Sequence, residues 1–418
     1  MTERLDHFYR LTDADRLEKL ETVMQLTDQE VTEMQQSQSA DTADLIENYV
    51  TDFHLPQGLA PNFLIDGKLH HVPMVTEEPS VIAAASNGAR MAGLSGGFQV
   101  TILNREMIGQ ILLQDIANVE EIERWITAHQ VELCAIANAA HPSVLKHGRG
   151  ATELRVRALE QGYVSVDLVA DVGEAMGANT LDSMLEAVAE KIETELDVTV
   201  VMSILSNLAT ESLTTAKVTL DFATLATEQF DGKQVAERIV QAGMVAKLDP
   251  YRATTHNKGI MNGVDAVVMA MGNDWRAIES GAHAYASQSG RYQPLSSWTI
   301  QADRLVGQLT LPLPVAVIGG ATRVLPQVAI NQKIADVKTA RDLMAIVASV
   351  GLAQNLAALK ALVTDGIQKG HMALQLKSLA RTAGATHNEV AEVVTRLREL
   401  PHPDLTDAKK LIQQLRQN

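Results

Sequence analysis

The chain has 418 residues, of which 46% are apolar and 21% charged, an ordinary globular composition with length for two or three domains. A formal net charge of -16 argues against nucleic acid or an anionic membrane surface as a partner, because phosphate binding needs a basic face. One cysteine, Cys134, rules out an intramolecular disulfide, speaks against a cysteine-based zinc site and fits a reducing, cytoplasmic setting.

Thr12-Asp13-Ala14-Asp15 reads as a capping box, with Leu17, Leu20, Val23 and Met24 following at helical spacing. Residues 35–42 are polar and read as a loop, and 43–50 as a short second helix. The Pro- and Gly-marked segment 54–73 holds the strand-like Phe63-Leu64-Ile65 and a turn at Asp66-Gly67. Glu78-Pro79 opens an Ala-rich helix to about Met91. Proline suits the first helical position, so Glu78 falls at the cap, near the positive end of the helix dipole.

From about Gly96 to Asn207 the texture is that of strands, at 98–103, 153–158, 164–170 and 198–205. A helix over about 180–196 interrupts them, with Met184, Leu185, Val188 and Ile192 on one face, so this part reads as a small α+β domain. Cys134, in the apolar stretch 133–137, reads as a buried small hydrophobe. Helices and strands mix again until about Asp365, and 370–418 reads as helical. There Thr386-His387-Asn388-Glu389 caps one helix, Pro401-His402-Pro403 breaks it, and Leu405, Leu411, Ile412 and Leu415 mark another. This terminal unit is either a mobile cover or a docked tail. The N-terminus lacks the apolar core of a signal peptide, and no uninterrupted apolar run is long enough to span a bilayer, so a soluble, unanchored protein is expected.

Four polar clusters carry potential chemistry: Glu77-Glu78-Pro79-Ser80, residues 171–179, the stretch from Thr254 to Asp274, and Gly370-His371-Met372. Lys258 stands among small and amide residues, and a lysine so placed can donate to an oxygen that gains negative charge in a reaction. Asp274, in a Gly-Asn-Asp-Trp turn, would keep such a lysine protonated. A surface ion pair is the plainer reading of the same two residues. The glycine-bearing turn at 171–179 runs into a helix whose N-terminus would attract phosphate, or it is a plain strand-to-helix turn. No G-x-G-x-x-G fingerprint follows a strand. Alone, Glu78 is a helix-capping acid and His371 a hydrogen-bonded histidine.

Taken together, these clusters resemble the class II, soluble bacterial form of 3-hydroxy-3-methylglutaryl-CoA reductase over nearly the whole chain. The segments that carry the likeness are Glu47-Asn48-Tyr49-Val50, Pro73-Met74-Val75-Thr76-Glu77-Glu78-Pro79-Ser80, Ala175-Met176-Gly177-Ala178-Asn179 and Leu205-Ser206-Asn207-Leu208. Asp249-Pro250-Tyr251-Arg252-Ala253-Thr254, His256-Asn257-Lys258-Gly259-Ile260-Met261-Asn262-Gly263, Gly272-Asn273-Asp274-Trp275-Arg276-Ala277 and Gly370-His371-Met372-Ala373-Leu374 follow in order.

The resemblance implies an α+β fold. A large mixed helical and sheet substrate domain (1–104 and 211–367) would hold an inserted small α+β cofactor domain (105–210), with a C-terminal helical flap (368–418). It also implies reduction of a thioester to an alcohol in two hydride transfers, through a hemithioacetal and an aldehyde. Lys258 would donate to the developing oxyanion, Asp274 would hold Lys258 charged and placed, Glu78 would supply a proton in aldehyde reduction, and His371 would protonate the departing CoA thiolate. Ser80, Arg252, Asn207 and Asn262 are implied substrate or network contacts. Glu174, Met176, Gly177 and Asn179 fall at the implied cofactor turn. A homodimer with its active site at the subunit interface is implied, and no metal.

Glu174 stands where the family commonly has aspartate, and Gln375 where it often has a second histidine. Glu153 would bond an adenosine ribose and favour NADH, whereas Arg155 and Arg157 would meet a 2′-phosphate and favour NADPH. Plain solvated charges on a strand are the other reading. The biosynthetic direction tips the choice to NADPH. Rival functions are NAD-dependent oxidation of mevalonate, a Schiff-base lyase using Lys258, and a non-catalytic acyl-CoA or nucleotide sensor.

Overall fold

The computed structural model describes residues 4–322, 324–364, 366 and 376–417. Helix and strand mix throughout, as the α+β expectation has it, and two separate sheets organise them.

The larger sheet has six strands in the order β2-β1-β3-β8-β10-β9. Its members are β1 (Gln57–Ile65), β2 (Lys68–Val75), β3 (Phe98–Ile102), β8 (Leu213–Asp221), β9 (Ser296–Gln301) and β10 (Arg304–Pro312). β1 and β2 form the expected hairpin, with Asp66 at φ 47° and Gly67 at φ 79° making a turn that favours such residues. β3 belongs here and not with the small strand cluster where the alternation of 98–103 placed it; it pairs antiparallel with β8, from Phe98 opposite Val218 to Ile102 opposite Thr214.

Helices Pro79–Gly93, Gly232–Leu248, Pro250–Ala270 and Ala340–Val363 pack around this sheet and enclose one core that runs from Phe63 and Phe98 to Leu356. Gly88 marks the closest approach of two of them: a Cβ there would lie 2.2 Å from the Ala353 carbonyl oxygen. Ala340–Val363 is long and apolar enough to cross a bilayer, yet most of it is buried inside the protein, and Ser349, Gln354 and Asn355 break its apolar run.

The smaller sheet is antiparallel throughout, in the order β5-β6-β4-β7. It comprises β4 (Met107–Gln114), β5 (Gly150–Ala158), β6 (Val164–Asp171) and β7 (Thr199–Ser206). Helices Val119–Ala140 and Ala178–Leu196 pack on it around a second core that includes Ile111, Leu133, Leu168 and Leu185. Val119–Ala140 is absent from the strand-dominated sequence reading. Its markers are plain: Asn118 accepts from the Glu121 N–H as cap, and Ile122, Ile126, Leu133 and Ala137 fill one face. Cys134 lies on this helix, half-buried, and burial pushes its thiol up.

Two N-terminal expectations change. Residues 28–36 form a helix with a Thr27–Glu30 capping box. The helix expected over 43–50 does not form; turns replace it, with Asn48 at φ 56° and the Tyr49 hydroxyl accepting from the Ser39 N–H at 2.9 Å. At the other end, helices Val390–Leu397 and Leu405–Gln417 share a small core of their own with Leu376, Ala380 and Ala385. The Thr386 N–H bonds the Glu389 carboxylate at 2.7 Å, as the capping motif requires.

Candidate active site

A cleft of about 440 Å³ lies between elements of the two sheets. One wall is the turn Ala175–Thr180 that leads β6 into helix Ala178–Leu196. The other is Gly272, Asn273, Asp274 and Arg276, with Ala316, Ile318, Gly319 and Gly320 between them. Met176, Gly177 and Asn179 therefore share a cleft with Asp274, two clusters far apart in the chain.

Local chemistry explains both walls. Gly177 sits at φ 84° as the residue before the helix, a conformation that glycine takes without strain, and no side chain caps that helix end. Arg105 holds the turn from behind, donating at 2.7 Å to the carbonyls of Ala175 and Val315. Its Nε and Nη1 are buried without partners, and burial lowers its pKa against the pull of Glu174 and Asp171. On the far wall, Asn273 staples the turn to the strand end, donating to Met271 and Ala316 carbonyls and accepting from the Ala316 N–H at 2.6 Å. Asp274 caps helix Trp275–Ala286, accepting from the N–H groups of Arg276 and Ala277.

The remaining predicted residues fall elsewhere. Lys258 is exposed, in the middle of helix Pro250–Ala270, and among the described residues no hydrogen bond or ion pair joins it to Asp274. Twelve residues of helix, roughly 18 Å, separate Lys258 from the end near which Asp274 begins. Asp274 is instead paired with Arg276 at 2.9 Å. Arg252 and Asn262 are half-buried on the same helix as Lys258. Glu78 occupies the cap position of helix Pro79–Gly93 as expected but makes no capping bond; it accepts from the Ser80 hydroxyl at 2.9 Å, so these two predicted residues do meet. Asn207 is exposed after β7, and a Cβ on Gly281 would come within 2.6 Å of its carbonyl oxygen. His371 lies outside the described residues.

Glu174 does not line the cleft. Its carboxylate accepts from the Ala340 N–H at the start of helix Ala340–Val363, and its carbonyl accepts from Val317, so it ties the turn to the larger unit. Glu153 and Arg155 lie on edge strand β5 and bond each other at 2.8 Å, and Arg155 also reaches Glu211 at 2.7 Å. Both contacts push the Arg155 pKa up. Arg157 is likewise engaged, donating to Asp167 at 3.0 Å. None of the three lines the cleft. Among the described residues no cluster of three or more metal-binding side chains occurs. The sequence reading missed Arg105, Asn273 and Arg276; the last two were visible only as neighbours of Asp274 in its motif.

The sequence profile of the family described as hydroxymethylglutaryl-coenzyme A reductase matches residues 14–376. The chain is 42% identical to the 3-hydroxy-3-methylglutaryl-coenzyme A reductase of Archaeoglobus fulgidus, covering 100% of this chain and 95% of that one. It is 33% identical to a probable reductase of the same name from Borreliella burgdorferi, over 82% of this chain and 79% of the other. Among solved structures it is similar to the reductase of Streptococcus pneumoniae, with TM-score 0.77, 43% identity and coverage of 99% of this chain and 100% of that one. A structure of the class II Streptococcus pneumoniae enzyme bound to NADPH in open conformations matches at TM-score 0.77 and 44% identity, covering 97% and 100%.

Proposed function

The chain belongs to the hydroxymethylglutaryl-coenzyme A reductase family, and from that membership we propose how its residues divide the work. The reaction is the reductive deacylation of 3-hydroxy-3-methylglutaryl-CoA to mevalonate and free CoA, an oxidoreductase reaction in two hydride transfers. Relatives named as reductases support this direction over the oxidation of mevalonate.

The cofactor is a nicotinamide dinucleotide, which supplies hydride when bound. The cleft residues fit such a group. Gly177 leaves the first turn of helix Ala178–Leu196 without a side-chain cap, and a helix N-terminus favours phosphate. Ala175, Ala178, Gly319 and Gly320 add little bulk. NADPH is the reading we favour, since the Streptococcus pneumoniae relative carries it. Arg155 and Arg157 offer it no support, because their charges are already matched by carboxylates.

Lys258 donates to the thioester oxygen as it becomes an oxyanion. Asp274 keeps that ammonium charged. Glu78, steadied by Ser80, passes a proton in aldehyde reduction, and His371 protonates the leaving thiolate. Arg252, Asn207 and Asn262 hold substrate. Because Lys258 and Asp274 do not pair within one chain, the site is completed across a homodimer interface, with Lys258 of one subunit meeting Asp274 of the other. A cytoplasmic setting fits the single cysteine.

The observation that carries this reading is the shared cleft of Met176–Asn179 and Asp274. Its test is cofactor oxidation followed by absorbance, with 3-hydroxy-3-methylglutaryl-CoA as sole acceptor and NADPH and NADH compared. Two equivalents consumed per CoA released support it; binding without turnover refutes it.

A further inference from the structure

The smaller unit joins the larger one through two short segments, 103–106 on the way out to β4 and 207–212 on the way back from β7. Hydrogen bonds lace the two together. The Glu106 N–H donates to the Glu211 carbonyl at 3.1 Å, and the buried Ser212 hydroxyl donates to the Glu106 carbonyl at 2.8 Å. The Leu313 N–H, just past β10, donates to the Ser212 carbonyl at 2.9 Å. Arg105 lies in the first segment, so its backbone is fixed where the two units meet.

From that joint its side chain spans the back of the cleft. One nitrogen, Nη2, donates at 2.7 Å to the Ala175 carbonyl and at 2.7 Å to the Val315 carbonyl. Its two hydrogens supply one bond each. Ala175 opens the turn that forms one wall, and Val315 precedes Ala316, which also lines the cleft. Ala316 exchanges two hydrogen bonds with the side chain of Asn273, the residue before Asp274. A hydrogen-bonded path therefore runs from the Ala175–Thr180 turn through Arg105 to the Asp274 turn. Glu174 ties the turn to the same segment, its carbonyl accepting from the Val317 N–H at 3.0 Å. That bond alone leaves the turn a pivot, and Arg105 supplies the second point. Without a donor there, the Ala175 and Val315 carbonyls would converge on one space with their negative ends unanswered. A side chain selected for packing alone would be apolar, because burying a cation costs desolvation energy.

We propose that Arg105 is a positioning residue for the nicotinamide cofactor: bonded from behind to Ala175 and Val315, it sets the spacing between the Ala175–Thr180 turn and the segment that holds the Asp274 turn. The proposal rests on the reading of this cleft as the cofactor site. Arg105 does not itself line the cleft, so it acts through the two backbone carbonyls that it holds. Both carbonyls belong to the same chain, and the clamp works within each subunit.

The test compares wild type, Arg105→Met and Arg105→Lys. Methionine keeps an apolar stem and no donor, whereas lysine keeps a cation and its donors without the planar fork. NADPH affinity is measured by titration, KM for each substrate by steady-state kinetics, and local opening by amide hydrogen exchange. Arg105→Met is expected to weaken NADPH binding about tenfold, with KM for 3-hydroxy-3-methylglutaryl-CoA nearly constant. Exchange at the Ala175–Thr180 turn should quicken while β4 and β6 keep their protection. Arg105→Lys is expected to lose about threefold in affinity and to show intermediate exchange at the turn. Wild-type affinity in Arg105→Met overturns the proposal. So does a general loosening, with faster exchange throughout the four-stranded unit and both KM values raised together. Should Arg105→Met not fold, Arg105→Lys decides: affinity and turn exchange equal to those of wild type overturn the proposal. A wild-type protein that binds neither NADPH nor NADH overturns the cofactor reading instead. The exchange measurement then still judges the clamp, which fails if the turn is equally protected in all three proteins.

Discussion

Asp274 is bonded to Arg276, its own helix neighbour, at 2.9 Å, while Lys258 stands in the middle of the preceding helix. The contrast matters because a carboxylate with a cation already in hand still has acceptor capacity to spare: Asp274 receives Arg276 on Oδ2 and two backbone N–H groups on Oδ1. A second subunit can bring an ammonium to that carboxylate without dismantling the cap.

Replacing Lys258 by alanine removes the proposed oxyanion donor. A drop in kcat of about a hundredfold to a thousandfold is expected with both the thioester and mevaldehyde as substrates. The residue is exposed, so the unfolding midpoint should be unchanged. Retained turnover of either substrate would remove Lys258 from the mechanism.

Lys258→Ala and Asp274→Asn chains, each inactive alone, should complement when co-expressed with different tags. A two-fold interface gives the mixed dimer one intact site out of two, hence about half of wild-type activity per purified heterodimer. A mixed dimer as dead as its parents would place both residues in one subunit's site.

Gly177→Ala puts a Cβ 2.6 Å from Val172 Cγ1 at a residue held at φ 84°. Strain of about 1–3 kcal/mol should displace the Ala175–Thr180 turn, which we propose meets the cofactor. The expected result is a raised KM for the nicotinamide cofactor, with KM for the acyl-CoA nearly constant. An unchanged cofactor KM would disconnect this turn from cofactor binding.

His256 sits in the core, Nε2 2.6 Å from the Ser296 hydroxyl and 3.2 Å from Asn355 Nδ2. Burial, with a smaller push from Arg252, lowers its pKa to about 4. The folded state therefore keeps it neutral where the unfolded chain would protonate it. Its contribution to stability is full above about pH 6.5 and is lost as pH falls toward 4, on the order of 3 kcal/mol in total. Urea unfolding of His256→Gln should show a shallower acid-side decline than wild type, and equal slopes would contradict the assignment.

Gly281→Ala brings a Cβ to 2.6 Å from the Asn207 carbonyl oxygen, a backbone atom that cannot rotate aside. A loss of about 1–3 kcal/mol is expected from denaturant unfolding. A loss below about 0.5 kcal/mol would mean that the Trp275–Ala286 helix slides freely against the loop after β7.

Local signals made much of the architecture readable. Pro79 after Glu78, the Asp66-Gly67 turn and the apolar face of 180–196 each specify a backbone shape by short-range sterics or periodicity, and each is found where the chain implies it. Pairing across long separations is not written that way. The pattern of 98–103 identifies a strand but not its neighbours, so texture alone grouped β3 with the wrong sheet, while the bounds implied by the family resemblance kept it in the larger unit. The site divides likewise. Motifs named Asp274 and the 176–179 turn, and their shared cleft follows from tertiary packing. Arg155 looked like a phosphate ligand because its strand position is visible in sequence, whereas Glu211, which occupies it, lies 56 residues away.

The smaller sheet leaves the larger one after Ile102 and returns at Leu213, and those ends lie side by side, because Ile102 is paired with Thr214. Topologically the whole four-stranded unit is the loop of a hairpin. A tight two-residue turn joining β3 directly to β8 would close the same ladder, so the six-stranded half should survive excision of its guest. Evolution could equally have exchanged that guest without re-threading the sheet that hosts it.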